Sequence, residues 1–226
     1  MAEIARACGF SVREPVVGNQ ISRDVVTAVL SGMAGELHEG DTLLLTYAGH
    51  GCREVATPGT GGGAYRESWC LPDGQLWDHE LYALWPAFRS GVRIIVVSES
   101  CYSQTIGSQR LHDAEVIAFR ERRLGDLART WQLPEDCTRW AIPDRPNDAS
   151  IGASILVLGA CKEEETAVDG LFTKKLWQTW TTGGAGDYCQ FMRRIKNAMY
   201  PDPQTPAMSF VGRPNPGFLQ EQPFTI

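Results

Sequence analysis

What this chain lacks excludes several classes of protein. No window of its 226 residues reaches the roughly 18 to 20 consecutive apolar residues that span a bilayer. The opening MAEIARACGF has none of the charged-then-apolar order of a signal peptide, so the expectation is a cytoplasmic protein. Positive charge is also short: 21 Lys and Arg against 27 Asp and Glu give a net −6, which offers no attraction to a phosphate backbone. The two small basic clusters, Arg120 to Arg123 and Arg193 to Lys196, read as solvated helix faces. The seven cysteines are odd in number and contain no C-x-x-C pair, the pattern of reduced thiols, most of them small buried apolar residues. Only His50 and Cys52 approach metal-ligand spacing, and alone they do not make a zinc site. There is no G-x-S-x-G elbow and no G-x-x-x-x-G-K-[ST] loop, which removes the common serine hydrolases and the phosphate-binding loop. GTGGGA at 59–64 fits G-x-G-x-x-A, but no strand feeds it and no apolar helix follows, so it reads as a loop.

What remains is the ordinary material of a globular domain: 43% hydrophobic residues, 23 glycines and 13 prolines spread without a polar tract. The length suits one compact unit. Three short apolar runs, TLLLTYA (42–48), VRIIVVSES (92–100) and SILVLGA (154–160), read as strands buried on both faces. FSVREPV reads as a fourth, weaker one. Helical patterns fall at about 2–8, 22–37, 78–89, 113–131, 173–182 and 187–199. In the second, Ser22 or Asp24 is a candidate cap, and Val25, Val26, Val29, Leu30 and Met33 share a face. Pro86 must kink or shorten the third, whose Leu81, Leu84, Trp85 and Phe88 recur at helical spacing. Strands alternating with helices mean an α/β sandwich with a mostly parallel sheet.

In such a sheet, loops beyond the carboxyl ends of the strands carry function. His50 follows the first run and Cys101 the second. A thiol is a good nucleophile beside a base, and histidine is the usual one. Of the four histidines, only His50 stands between glycines, Gly49 and Gly51, which leaves backbone amides open to a substrate. The amides of Gly51 and Cys101 are candidates for an oxyanion hole. On these residues alone, a turn histidine beside an ordinary buried cysteine fits equally well.

The pair DTLLLTYAGHG and VSESCYS resembles the histidine and cysteine boxes of caspase-like cysteine peptidases, most closely metacaspases and their bacterial relatives. The two residues lie 101 − 50 = 51 positions apart, and the caspase spacing is about 50. ESWCLPDGQLWDHEL (67–81), LFTKKLWQTW (171–180) and QTPAM (204–208) resemble further segments of that family in order. The resemblance implies a three-layer caspase-like sandwich in which Cys101 attacks the scissile carbonyl and His50 assists proton transfer. It also implies that Glu99, two before the cysteine, lines a pocket for a substrate arginine or lysine. Asp73 and Asp78 read as turn and cap residues. The segment from Ser103 to Arg145, with Arg110, Arg120, Arg122 and Arg123, resembles a self-cleavage linker within a processable stretch at 103–150.

The sequence also departs from the family. Ala48 stands where serine is common and Gln104 where glycine is common, and the chain opens on a helix where the family has a first strand. That makes a second reading live: a partner-completed or catalytically silent caspase-fold binding module, with another chain completing the sheet. No cofactor is expected, calcium activation staying open because no spaced acidic loop demands it. The expected ligand is a peptide with a basic residue before the cut.

Overall fold

The computed structural model describes residues 1–55, 65–101, 141–146, 150–162, 165–183, 186–202 and 204–226. Its centre is a five-stranded sheet with strand order β1-β5-β7-β8-β6. The strands are β1 (Thr42–Ala48), β5 (Arg93–Glu99), β6 (Ala141–Pro146), β7 (Ser154–Gly159) and β8 (Ala207–Gly212). β1/β5, β5/β7 and β6/β8 are parallel pairs, and only β7/β8 is antiparallel. The sheet is therefore mainly parallel, as the runs predicted. Every residue of β7, and all of β5 after Arg93, is buried. Leucine, isoleucine and valine run without alternation there because both faces are covered.

Two apolar layers make that cover. On one face Ile95, Val97, Leu156 and Leu158 pack with Ile4 of α1 (Ala2–Ala7), Phe172 and Leu176 of α4 (Leu171–Thr181), and Phe191 and Ile195 of α5 (Tyr188–Met199). Phe218 of the short α6 (Pro216–Gln220) closes that layer. On the other face Ile94, Val96, Ile155 and Val157 meet Leu30 and Met33 of α2 (Arg23–Glu36), with Leu81 of α3 (Asp78–Tyr82) and Trp85. This second layer also takes Trp69, Leu71 and Leu76 from a small antiparallel sheet ordered β2-β3-β4, formed by Gly51–Val55, Tyr65–Leu71 and Gly74–Trp77. Odd and even residues of one strand thus feed opposite cores, the period-two rule of a pleated strand.

Helix α2 starts where its cap chemistry says. Ser22 Oγ accepts the Val25 N–H at 3.1 Å, and Asp73, from the β3–β4 turn, accepts the Arg23 N–H on both oxygens at 3.1 Å. We expect Ser22→Ala to cost about 1 kcal/mol of unfolding free energy by urea denaturation. An unchanged midpoint would show that Asp73 alone satisfies the first turn.

Several expectations are corrected. No strand forms at FSVREPV; residues 10–17 have no regular structure, and Pro15 there has no N–H to give a ladder. Val29 is 38% exposed, so the apolar stripe of α2 runs through Val26, Leu30, Met33 and Ala34 without it. The third helix is cut to Asp78–Tyr82, followed by a 3-10 turn at Trp85–Ala87, because Pro86 cannot continue an α-helix. Trp77 is the N-cap residue of α3 and its N–H donates to Glu80, so Asp78 is the first helical residue instead of the cap. Cys189 is disulfide-bonded, against the all-thiol expectation, whereas Cys8, Cys52, Cys70, Cys101 and Cys161 are free. The expected helix at 113–131, the linker at 103–145 up to residue 140 with Arg110, Arg120, Arg122 and Arg123, and GTGGGA lie outside the described residues; the linker's last residues, 141–145, form part of β6. No helix among the described residues is long and apolar enough to cross a membrane.

Candidate active site

Parallel pairing of β1 with β5 ends in register, Ala48 opposite Glu99, so the turn at 49–51 and the turn at 100–101 leave the sheet side by side. β7 ends next to them at Gly159, and β8 begins there at Ala207, its antiparallel partner. Four connections, around 49–51, 100–101, 160–170 and 200–206, therefore gather at one sheet edge. His50 and Cys101 both stand in that group.

Each glycine beside His50 answers to a specific neighbour. A methyl group at Gly49 would stand 2.6 Å from the Tyr47 hydroxyl, and one at Gly51 would stand 2.1 Å from the carbonyl oxygen of Cys101. No Cβ fits at such a distance, so glycine lets the histidine turn lie directly on the cysteine backbone. The turn is held from below. Tyr47, stacked on Trp69 at 4.4 Å, places its hydroxyl 2.9 Å from the carbonyl of His50 and 3.1 Å from that of Cys70. Burial pushes the Tyr47 phenol up, so it stays a neutral donor. Trp69 Nε1–H donates to Ser98 Oγ, which lies 3.0 Å from Ser100 Oγ, tying the small sheet to the end of β5.

The ladder also fixes the Gly51 amide. Cys70 N–H donates to the His50 carbonyl at 2.9 Å, which makes His50 and Cys70 a hydrogen-bonded pair. Bonded and non-bonded pairs alternate in an antiparallel ladder, so Gly51, opposite Trp69, directs its N–H away from β3.

The sulfur of Cys101 has a partner of its own: the Ala167 N–H donates to it at 3.3 Å. Ala167 belongs to the connection between β7 and α4. Glu99 sits behind the same connection, 5% exposed, with Oε1 accepting the Phe172 N–H at 3.0 Å and Oε2 the Thr173 N–H at 2.5 Å. The reason lies in the sequence: Gly170 is the N-cap of α4, has φ 69° and offers no side chain to cap with. A carboxylate from the sheet supplies the missing acceptors at the positive end of the helix. The described bonds of Glu99 thus run inward, to the helix. Glu165 also bonds inward, its Oε2 accepting the Thr205 N–H at 2.6 Å.

Sequence reasoning brought forward His50, Gly51, Glu99 and Cys101 but missed Tyr47, Trp69 and Ala167. A signal existed for Trp69: SWCL and GQLW flank Pro72-Asp73, alternating runs around a two-residue turn, which is a hairpin pattern. Ala167 acts through its backbone amide, which leaves no mark on composition.

A caspase-domain profile matches residues 1–221. Among solved structures, the chain is similar to a Geobacter sulfurreducens protein at 32% identity and a TM-score of 0.72, over 100% of this chain and 86% of that one. No curated protein matches it. With the histidine turn seated on the backbone of the strand-end cysteine and a family profile spanning nearly its whole length, this chain belongs to the caspase-domain family of cysteine peptidases.

Proposed function

We propose that the chain is a cysteine endopeptidase with Cys101 as nucleophile and His50 as proton carrier, cutting after arginine or lysine. The observation that carries the reading is the contact of Gly51 with the Cys101 carbonyl, which leaves no room for any other residue between the two boxes. Cys101 gives its thiol proton to His50 as Sγ adds to the scissile carbonyl carbon, and the resulting oxyanion takes the amides of Gly51 and Cys101. His50 gives a proton to the leaving amine as the C–N bond breaks, leaving a thioester. Water, deprotonated by His50, then releases the acid and the thiol.

Two carboxylates support a basic substrate residue. Glu99 keeps one lone pair on each oxygen after its helix bonds. Asp169 is exposed, two residues past Ala167, and accepts no hydrogen bond among the described residues. An exposed carboxylate on the connection whose Ala167 amide meets Cys101 Sγ suits a guanidinium, whose fork takes two bonds at once. We expect Asp169→Asn to lower kcat/KM on arginine peptides about 10- to 100-fold, the worth of one charge-assisted bond, without changing the unfolding midpoint. The test of the whole reading is a panel of fluorogenic peptides ending in arginine, lysine or aspartate. Cleavage of the basic ones alone supports it, and preference for aspartate overturns the pocket. The chemistry asks for no cofactor, and the same assay with calcium or with chelator tests calcium dependence.

One observation favours a second reading, in which another polypeptide completes the sheet. β1 is an edge strand, yet Leu44 packs into one core and Leu43 and Leu45 into the other, an environment typical of interior strands. All three leucines stay only half-buried, and an open apolar edge is a template for pairing. A mass in solution above the 24.9 kDa of one chain, with slow amide exchange at 42–48, is the expected result. A lone monomer with fast exchange there excludes it.

A further inference from the structure

Gln204, 3% exposed, stands between α5 and β8 and ties together two parts of the catalytic edge. Its Nε2 donates to the carbonyl of Ala160, just past β7, at 2.8 Å. Its Oε1 accepts the Val168 N–H, also at 2.8 Å. One residue before Val168 is Ala167, whose N–H meets Cys101 Sγ. A carboxamide has one donor end and one acceptor end, and here both are in use, so a flipped amide would oppose donor to donor and acceptor to acceptor. Glu165 braces the same connection from its other end, taking the Thr205 N–H on its side chain and the Cys161 S–H on its carbonyl at 3.3 Å.

We propose that Gln204 is a positioning residue for the Cys101 sulfur: through Val168 it holds the Ala167 amide against Sγ and so fixes where the sulfur stands. The kinetic part of this inference rests on reading Cys101 as the nucleophile. Attack needs the sulfur at about 3 to 3.5 Å from the carbonyl carbon, and a misplacement of about 1 Å costs on the order of 10²-fold. Gln204 lies behind the connection, so its loss acts first on kcat through the sulfur, and on KM only as far as Asp169, next to Val168, moves with it.

The variant that separates this role from simple structural support is Gln204→Glu. Protonated, a carboxylic acid offers the same donor and acceptor. Ionised, it only accepts and opposes the Ala160 carbonyl, and burial beside that carbonyl raises its pKa. The ratio of variant to wild-type kcat is therefore expected near one at about pH 5 and lower by about 10- to 100-fold at about pH 8, with KM changing less than kcat. Gln204→Met is expected to be low at every pH. A second measurement uses the unmutated protein and needs no peptidase activity. Alkylation of Cys101 by iodoacetamide should shift the amide cross-peaks of Ala167 and Val168 and the side-chain NH₂ peaks of Gln204 in a ¹H–¹⁵N spectrum. Should wild type cleave no peptide, the proposed function fails while this spectrum still decides the positioning role. A pH-independent kcat ratio, or Gln204 peaks that ignore alkylation, overturns the inference.

Discussion

Cys101→Ala is expected to abolish peptide cleavage, a loss of at least about 10⁴-fold, while the circular dichroism spectrum and the unfolding midpoint stay at wild-type values. The fold tolerates the change because the side chain sits half-buried and its described bond is to one backbone amide. The chemistry does not tolerate it, because no other free thiol among the described residues stands in the same place. Cys161 is buried and donates to the carbonyls of Ser100 and Glu165. Cys52 and Cys70 lie on the small sheet, and burial, reinforced by the neighbouring Cys52 and Cys101, pushes the Cys70 thiol up, away from thiolate at neutral pH. Cys8 belongs to the end of α1, where it packs against the core below the sheet. Activity surviving at more than a few per cent would transfer the nucleophile to one of these residues and dismantle the site.

Gly51→Ala is the second large effect. The added methyl would stand 2.1 Å from the Cys101 carbonyl oxygen and 3.3 Å from Ser100 Cβ, and a backbone carbonyl cannot swing aside as a flexible side chain can. The turn must lift off the cysteine, carrying His50 and the Gly51 amide with it. Losing one oxyanion donor costs about 10²- to 10³-fold in kcat, and displacing the histidine adds to that, so we expect a fall of at least about 10³-fold. KM for the same peptides should change far less, because Asp169 and Glu99 lie on other segments. His50→Ala gives a control: it removes the proton carrier but keeps the turn in place, and so should lose kcat without loss of stability. If Gly51→Ala were as active as wild type, the close seating of the two turns would play no part in catalysis.

The central strands were legible because their runs are long, apolar and unbroken: 42–48, 92–100 and 154–160 match the observed strands within a residue or two. β8 was not, since AMSFVG shares Ala207 and Met208 with QTPAM and stands just after prolines and small residues, although every one of its residues is buried. The small sheet was not read as strands, with only Asp73 and Asp78 assigned there as turn and cap residues, for a related reason. Its β2 is only Gly51–Val55, too short for alternation to stand out, and the turn at Pro72-Asp73 fixes only the pairing of β3 with β4. Glu99 illustrates a deeper limit. Its place two residues before the cysteine was readable, but its bonds to Phe172 and Thr173 cross 73 and 74 positions of sequence and answer to a missing cap at Gly170. Cys189 shows the same limit for redox state: counting cysteines predicted free thiols, and pairing depends on which of them the fold brings together.

The central claim is that Cys101 and His50 act as one unit. Its most direct test is intact-mass and peptide-mapping analysis after brief treatment with an arginine-terminated acyloxymethyl ketone, which captures an activated thiol at the substrate position. The account predicts a single adduct on Cys101, slowed by at least about 10²-fold in His50→Ala, with Cys8, Cys52 and Cys70 unlabelled. Labelling spread over those other thiols, or labelling of Cys101 at the same rate without His50, would contradict it.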